Sequence, residues 1–409
     1  MSSLYEDYFV LPLGLIGDEE RSLGETVLRW AKEVSSKRAE HDEDFSDLLM
    51  PSMKKLFVDI GLQSMLVPLS LGGGGLSAKR APVTCALAIE ECSRGDTGIA
   101  FILSNIICVQ KALLCSSTIG SYQESVFKEF NSESPFISPL ILPGYGTGNE
   151  NPVIFHGLYS QVRAELKGDE ITISGKDVRP QCSGLDAKLF CVFCVLDDGN
   201  PSLILVQGDS SGIQRSEEIK KTGLAASRNC DLDFRDVKVP KDNIILEGES
   251  AIKEILSWYY LCASATVCGA AIAAYEILFE WVSKRFIKGT GNILKENPLV
   301  ASLLGEIGAG IIEARNLTFN LALHIGDRGE NSGSPDALFA FASAVFLKVP
   351  RVCTEVIDRS MELMASAGYA SEWQLERYWR DAKTVETYVL PETCIEVSVA
   401  KHIFDISGL

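Results

Sequence analysis

The feature that most constrains this chain is a double change of hydrophobic period along its length. From residue 17 to about 130, apolar residues recur at helical spacing, as in ERSLGETVLRWAKEVSSKRAEHDEDF and PSMKKLFVDIGLQSMLVP. From Phe136 to Glu247 they alternate, or cluster as β-branched runs between turn signals, in QVRAELKGDEITISGKDV, AKLFCVFCVLD, PSLILVQGD and NCDLDFRDVKVP. From about Ser250 the helical spacing returns and holds to the end, through ASLLGEIGAGIIEARNLTFNLAL and DALFAFASAVFLKVPRVCTEVIDRSMELMAS. A core-facing side chain recurs every three to four residues in a helix and every second residue in a strand, so the three stretches cannot be one kind of element. The pattern predicts an α+β protein, mainly α: an all-α N-terminal domain over residues 1–135, a central β-domain over 136–248 and a C-terminal four-helix bundle over 249–409.

Composition narrows the function. The chain is 46% hydrophobic and 23% charged, which fits ordered globular domains. A formal net charge of -17 leaves no basic footprint for a phosphate backbone, so nucleic-acid binding is set aside. The opening MSSLYEDYFVLPLG has no basic region before an apolar stretch and does not read as a signal or transit peptide, so a cytoplasmic location is expected. The longest apolar stretch, Leu261 to Leu278, carries Ser264, Thr266 and Glu276 and reads as a buried core helix rather than a membrane span. The twelve cysteines are scattered through apolar segments as small buried hydrophobes are, which fits a reducing compartment. Cys191 and Cys194 form a CxxC, but in a strand their side chains point to opposite faces. The four histidines lie far apart without ligand spacing, so no metal is expected. LSLGGGGLS, residues 69–77, is glycine-rich, yet it contains no basic residue and follows no clear strand, which makes it a poor phosphate cradle.

Several motifs, in order, resemble the acyl-CoA dehydrogenase family across essentially the whole chain. RGDTGIAF (94–101) resembles a helical segment near the flavin, and GLAASRNCDLDFRDVKVPKDNII (223–245) the family's GLRGS…L.FEDV.VP..N.L stretch closing the β-domain. RYWRDAKTVETY (377–388) resembles ERYYRDAK.Y.IYEGT, and ASAGY (365–369) sits where the family has GGYGY. The resemblance implies FAD bound between two subunits of a tetramer, a dimer of dimers, with an electron-transfer flavoprotein as acceptor. It also implies a glutamate that takes the α-proton of an acyl-CoA thioester while hydride leaves Cβ for the flavin.

The departures carry as much information. Counting forward from Arg380, the family's catalytic glutamate falls on Val389, followed by Leu390 and Pro391. Some relatives carry the base on the helix that opens the bundle; aligned through Gly269, that position is Tyr259, whose phenol has an ordinary pKa of about 10. Tyr260 stands where most relatives have arginine. ILPGYGTG (141–148) keeps Gly146 and Thr147 of the TEPGAGSD flavin loop, while KDVRPQ (176–181) replaces KxWITN and puts Pro180 at the ring-facing threonine. Arg285, in RFIKG, matches an arginine that reaches the FAD pyrophosphate of a neighbouring subunit; as a basic residue closing a helix it also suits the helix dipole alone. Tyr259, Tyr260 and Tyr388 are candidates for the acyl pocket, with plain core packing as the alternative. Asp96 is the candidate for a relocated base, and also a natural helix cap.

Four losses in four segments, all lining one family site, imply lost or altered self-contained catalysis. The reading that leads is a subunit of a heteromeric acyl-CoA dehydrogenase, acting with a homologous subunit that carries the glutamate and most of the flavin site; FAD is then bound only at an interface, or lost. The alternatives are a self-contained dehydrogenase with a relocated base, a flavin-dependent monooxygenase on the same fold, and a scaffold without cofactor.

Overall fold

The computed structural model describes residues 15–40, 46–116, 119–143, 153–155, 158–160, 162–197, 199–327, 334–388, 392–404 and 406. Among these, the N-terminal part holds helices α1 (Asp18–Glu40), α2 (Ser46–Lys54), α3 (Ala81–Ser93), α4 (Thr97–Leu114) and α5 (Ser121–Glu129). Helices α3 and α4 are apolar on almost every side because they are surrounded: all of α3 is buried, as is α4 apart from Lys111 and Leu114. Ten strands follow: β1 (Leu140–Ile141), β2 (Val153–Phe155), β3 (Leu158–Tyr159), β4 (Arg163–Lys167), β5 (Glu170–Val178), β6 (Leu189–Val195), β7 (Pro201–Gln207), β8 (Ile213–Arg215), β9 (Leu232–Pro240) and β10 (Ile244–Glu247). The C-terminal helices are α6 (Glu249–Lys284), α7 (Pro298–Asp327), α8 (Pro335–Met364), α9 (Leu375–Tyr388) and α10 (Glu392–Phe404). Helices, then a sheet, then long helices is the order that the hydrophobic periods predict.

The main sheet runs β10-β7-β6-β4-β5-β9-β8, with β1 added in parallel to β6. Strand β6, LFCVFCV, is buried along its whole length, and its alternate residues enter two different cores. Leu189, Cys191 and Phe193 join the large core shared with the helices, while Phe190, Val192 and Cys194 join a second core on the opposite face. The two cysteines of the CxxC therefore face opposite ways, as the strand reading requires. The β5–β9 ladder slips register at Gly175, and again before Val178. Such bulges bend a strand, and β5 runs from them into the turn at residues 179–184.

Helix α6 is the central strut, packed against α3, α4, α7, α8 and α9. Its contact with α3 depends on Gly269, where a Cβ would lie 2.1 Å from the carbonyl oxygen of Glu90. Helices α4, α6 and α8 contain windows long and apolar enough to cross a membrane, but those windows are 89%, 83% and 56% buried inside the protein, so core packing accounts for their composition. In the glycine-rich loop, the amides of Gly72, Gly73, Gly74 and Gly75 donate to the carbonyls of Leu69, Pro68, Ser64 and Val67. Those four donors are spent on the turn itself, which removes the donor set a phosphate cradle needs.

Candidate functional site

Three segments that are distant in sequence converge where α4, α6 and the turn after β5 meet. Tyr259, midway along the buried stretch of α6, donates its hydroxyl to Gln181 Oε1 at 2.8 Å. The Gln181 amide donates to the Leu140 carbonyl of β1 at 2.9 Å. The Leu140 amide in turn donates to Asn105 Oδ1 of α4 at 3.1 Å. On the other side of Gln181, the Pro180 carbonyl accepts Asn229 Nδ2 at 2.8 Å, and Asn229 Oδ1 accepts the Gly184 amide at 3.0 Å. Phe101 of α4 closes the group, its ring centroid 6.3 Å from that of Tyr259 and tilted by 59°. Each of these side chains is buried, so each hydrogen bond offsets a desolvation cost that an unpaired group would otherwise bear.

Charged groups lie next to this junction. Burial pulls the Lys221 amine below its ordinary value; it donates to the Ser227 carbonyl. Burial pushes the Cys182 thiol up to about 12, which keeps it protonated and unreactive. Burial, with Asp96 nearby, pushes the Asp381 carboxyl up; Asp381 Oδ1 accepts the Leu224 amide at 2.5 Å. That bond ties the 222–224 segment to α9, where a Cβ on Gly223 would lie 2.3 Å from the Arg380 carbonyl oxygen.

Asp96 is used here as the helix cap. Its Oδ1 accepts the Ile99 amide at 2.8 Å and caps α4; its Oδ2 accepts Arg38 Nη1 of α1 at 2.8 Å, with Arg377 of α9 at 3.9 Å. Both oxygens are engaged in holding three helices together, so the base reading of Asp96 gives way to an anchoring one. Tyr260 points away from Gln181 and stacks on Phe346 and Phe339 of α8, at 5.0 and 5.9 Å between centroids. It packs within the bundle, and burial pushes its phenol upward. Arg285 follows the last turn of α6 and is exposed. Its guanidinium lies 4.9 Å over the Trp281 ring, which meets Trp373 edge-on at 5.1 Å. A short hairpin, with Phe286 bridged to Ile293, carries the chain onward from it. Gly146, Thr147, Val389 and the side chain of Tyr388 lie outside the described residues. Of the expected site residues that are among the described residues, only Tyr259 reaches this junction. Gln181, Asn229 and Asn105 were missed, and Gln181 carried a signal, since it directly follows Pro180.

The chain matches the model described as "Acyl-CoA dehydrogenase, N-terminal domain" over residues 17–118 and "Acyl-CoA dehydrogenase, C-terminal domain" over residues 261–392. The chain belongs to the acyl-CoA dehydrogenase family. It is 26% identical over 387 residues to cyclohex-1-ene-1-carbonyl-CoA dehydrogenase of Syntrophus aciditrophicus, covering 91% of this chain and 86% of that protein. It is 25% identical over 390 residues to the mitochondrial short/branched chain specific acyl-CoA dehydrogenase of Bos taurus, covering 92% of this chain and 84% of the relative. Among solved structures, butyryl-CoA dehydrogenase from Megasphaera elsdenii superposes with a TM-score of 0.79 at 19% identity, over 95% of this chain and 99% of that one.

Within an acyl-CoA dehydrogenase frame, the junction groups do not suit a flavin ring. Pro180 has neither hydroxyl nor N–H to offer, and its carbonyl is already taken by Asn229. The Gln181 amide and side-chain oxygen are likewise committed, to Leu140 and Tyr259. The Asn229 side-chain amide and the Gln181 and Gly184 backbone amides are thus spent on the protein itself.

Proposed function

We propose that this chain takes part in FAD-dependent α,β-dehydrogenation of an acyl-CoA thioester as one subunit of a heteromeric acyl-CoA dehydrogenase, with the catalytic glutamate and most of the flavin site on a homologous partner. The observation that carries this reading is the Tyr259 to Gln181 hydrogen bond. The position at which some relatives carry a base holds a phenol, and that phenol is bonded inside the protein instead of awaiting a substrate. Val389 at the other base position points the same way. Arg285 supports the partner half of the reading. Its guanidinium rests on the Trp281 ring at an exposed helix end, as suits a cation for an anionic cofactor held across an interface. Assembly as a dimer of dimers, an electron-transfer flavoprotein as acceptor and a cytoplasmic location belong to the same proposal.

The test is flavin content. The chain purified alone is expected to be colourless, and its complex with a homologous subunit yellow, at about half a flavin per chain, because one of two like-folded subunits supplies each site. A lone chain that holds one flavin and is bleached by acyl-CoA would show a self-contained dehydrogenase.

A further inference from the structure

We infer that the acyl-CoA site of this chain is shut as well as short of its base, and that the Tyr259 to Gln181 contact is the closure. The inference rests on the reading of the chain as a subunit without its own flavin site. The segments that should surround a flavin and its substrate are RGDTGIAF, KDVRPQ and the bundle-opening helix. Here they touch one another directly, through Phe101, Gln181 and Tyr259.

Distances decide the point. A base must reach Cα of a thioester whose Cβ lies against the flavin, so the acyl chain and the ring both stand between the base and any group facing the ring from behind. Carbon atoms in contact sit ~3.5–4.0 Å apart, so two groups flanking even one flat layer stand about 7–8 Å apart. Tyr259 Oη and Gln181 Oε1, the latter on the residue after Pro180, are 2.8 Å apart. The Phe101 and Tyr259 rings, at 6.3 Å and 59°, leave no parallel-walled slot either.

The closure is also braced. Moving the Gln181 turn away from α6 breaks its amide bond to Leu140 and strains the Asn229 bridge between Pro180 and Gly184. The 222–224 segment is itself held to α9 by Asp381 and by the close approach at Gly223. Restoring a glutamate at Val389 alone therefore does not restore a site while the Tyr259 to Gln181 contact holds the turn against α6.

The experiment measures FAD retained by the lone chain in equilibrium dialysis, for wild type, Gln181→Ala, Tyr259→Ala and Tyr259→Phe. Each protein is first checked for a cooperative thermal melt. Tyr259→Phe keeps the ring in the core and removes only the hydroxyl, so a folded protein without the hydrogen bond is in hand whichever alanine variant melts early. Wild type is expected to retain no FAD, and every folded variant to bind it at least roughly ten-fold more tightly. Folded variants that retain as little as wild type overturn the inference, and so does a wild-type chain that binds one FAD. The subunit reading fails separately: a complex with the homologous subunit that carries no flavin, or one flavin per chain, sinks it.

Discussion

At the scale of single residues, Asp96 shows how a carboxylate that looks chemically useful in sequence is consumed by structure. One oxygen caps α4 and the other meets Arg38, both partners being buried. Asp96→Ala removes the cap and leaves a guanidinium without its carboxylate in a dry interior. It is expected to cost about 3–5 kcal/mol, read as a shifted urea midpoint with an unchanged slope. Glu33 makes the opposite case at the surface. Hydrogen bonds from Lys37 and then Lys55 hold its carboxyl down to about 2. A depressed folded pKa contributes stability above the unfolded value of 4.5, and that stability is lost as pH falls toward about 2. The Glu33 side chain is 40% exposed, so screening keeps the contribution under about 1 kcal/mol. Glu33→Gln should lower stability at neutral pH, leave it unchanged near pH 2, and show a smaller difference in high salt; chemical denaturation at the two pH values checks this.

At the scale of elements, α6 and α3 approach as closely as they do because position 269 has no side chain. Gly269→Ala places a Cβ 2.1 Å from the Glu90 carbonyl oxygen, a backbone atom that cannot swing aside. The expected loss is about 1–3 kcal/mol, visible as a lower melting temperature, and a melt equal to wild type would contradict this packing. Glu90 is doubly placed there, since its carboxylate takes a two-pronged ion pair from Arg315 of α7, 2.9 Å on each prong, in the same buried layer. Most elements could be read ahead of the structure. The opposed cysteines of β6 followed from strand period, and the cap at Asp96 from a small acidic residue before an apolar run. The glycine-rich loop was readable only as an unlikely phosphate site, because where its amides donate depends on the fold of residues 64–69 around it.

At the scale of the whole molecule, all twelve cysteines are free thiols; eleven are buried, and Cys115, on the rim of α4, is partly exposed. Burial raises the Cys115 thiol as well, so the one accessible group is a slow nucleophile. A thiol reagent at neutral pH should modify at most one cysteine per native chain and all twelve after denaturation; rapid native labelling of several would contradict the core described here. What the sequence determined by itself is whatever depends on near neighbours along the chain: the order helices, sheet, helices, the strand faces, and the family motifs with their altered positions. It named Tyr259 and Pro180 as changed sites and Arg285 as a retained one, because each was read within a contiguous motif. Only the tertiary structure decided that Tyr259 meets Gln181 across 78 residues, that Asp96 is held between α1 and α9, and that Tyr260 belongs to the bundle core. The physical reason is that hydrogen bonds and ring contacts between distant segments are set by how whole helices and strands pack, and a periodic pattern gives the face a residue presents but not the partner it meets.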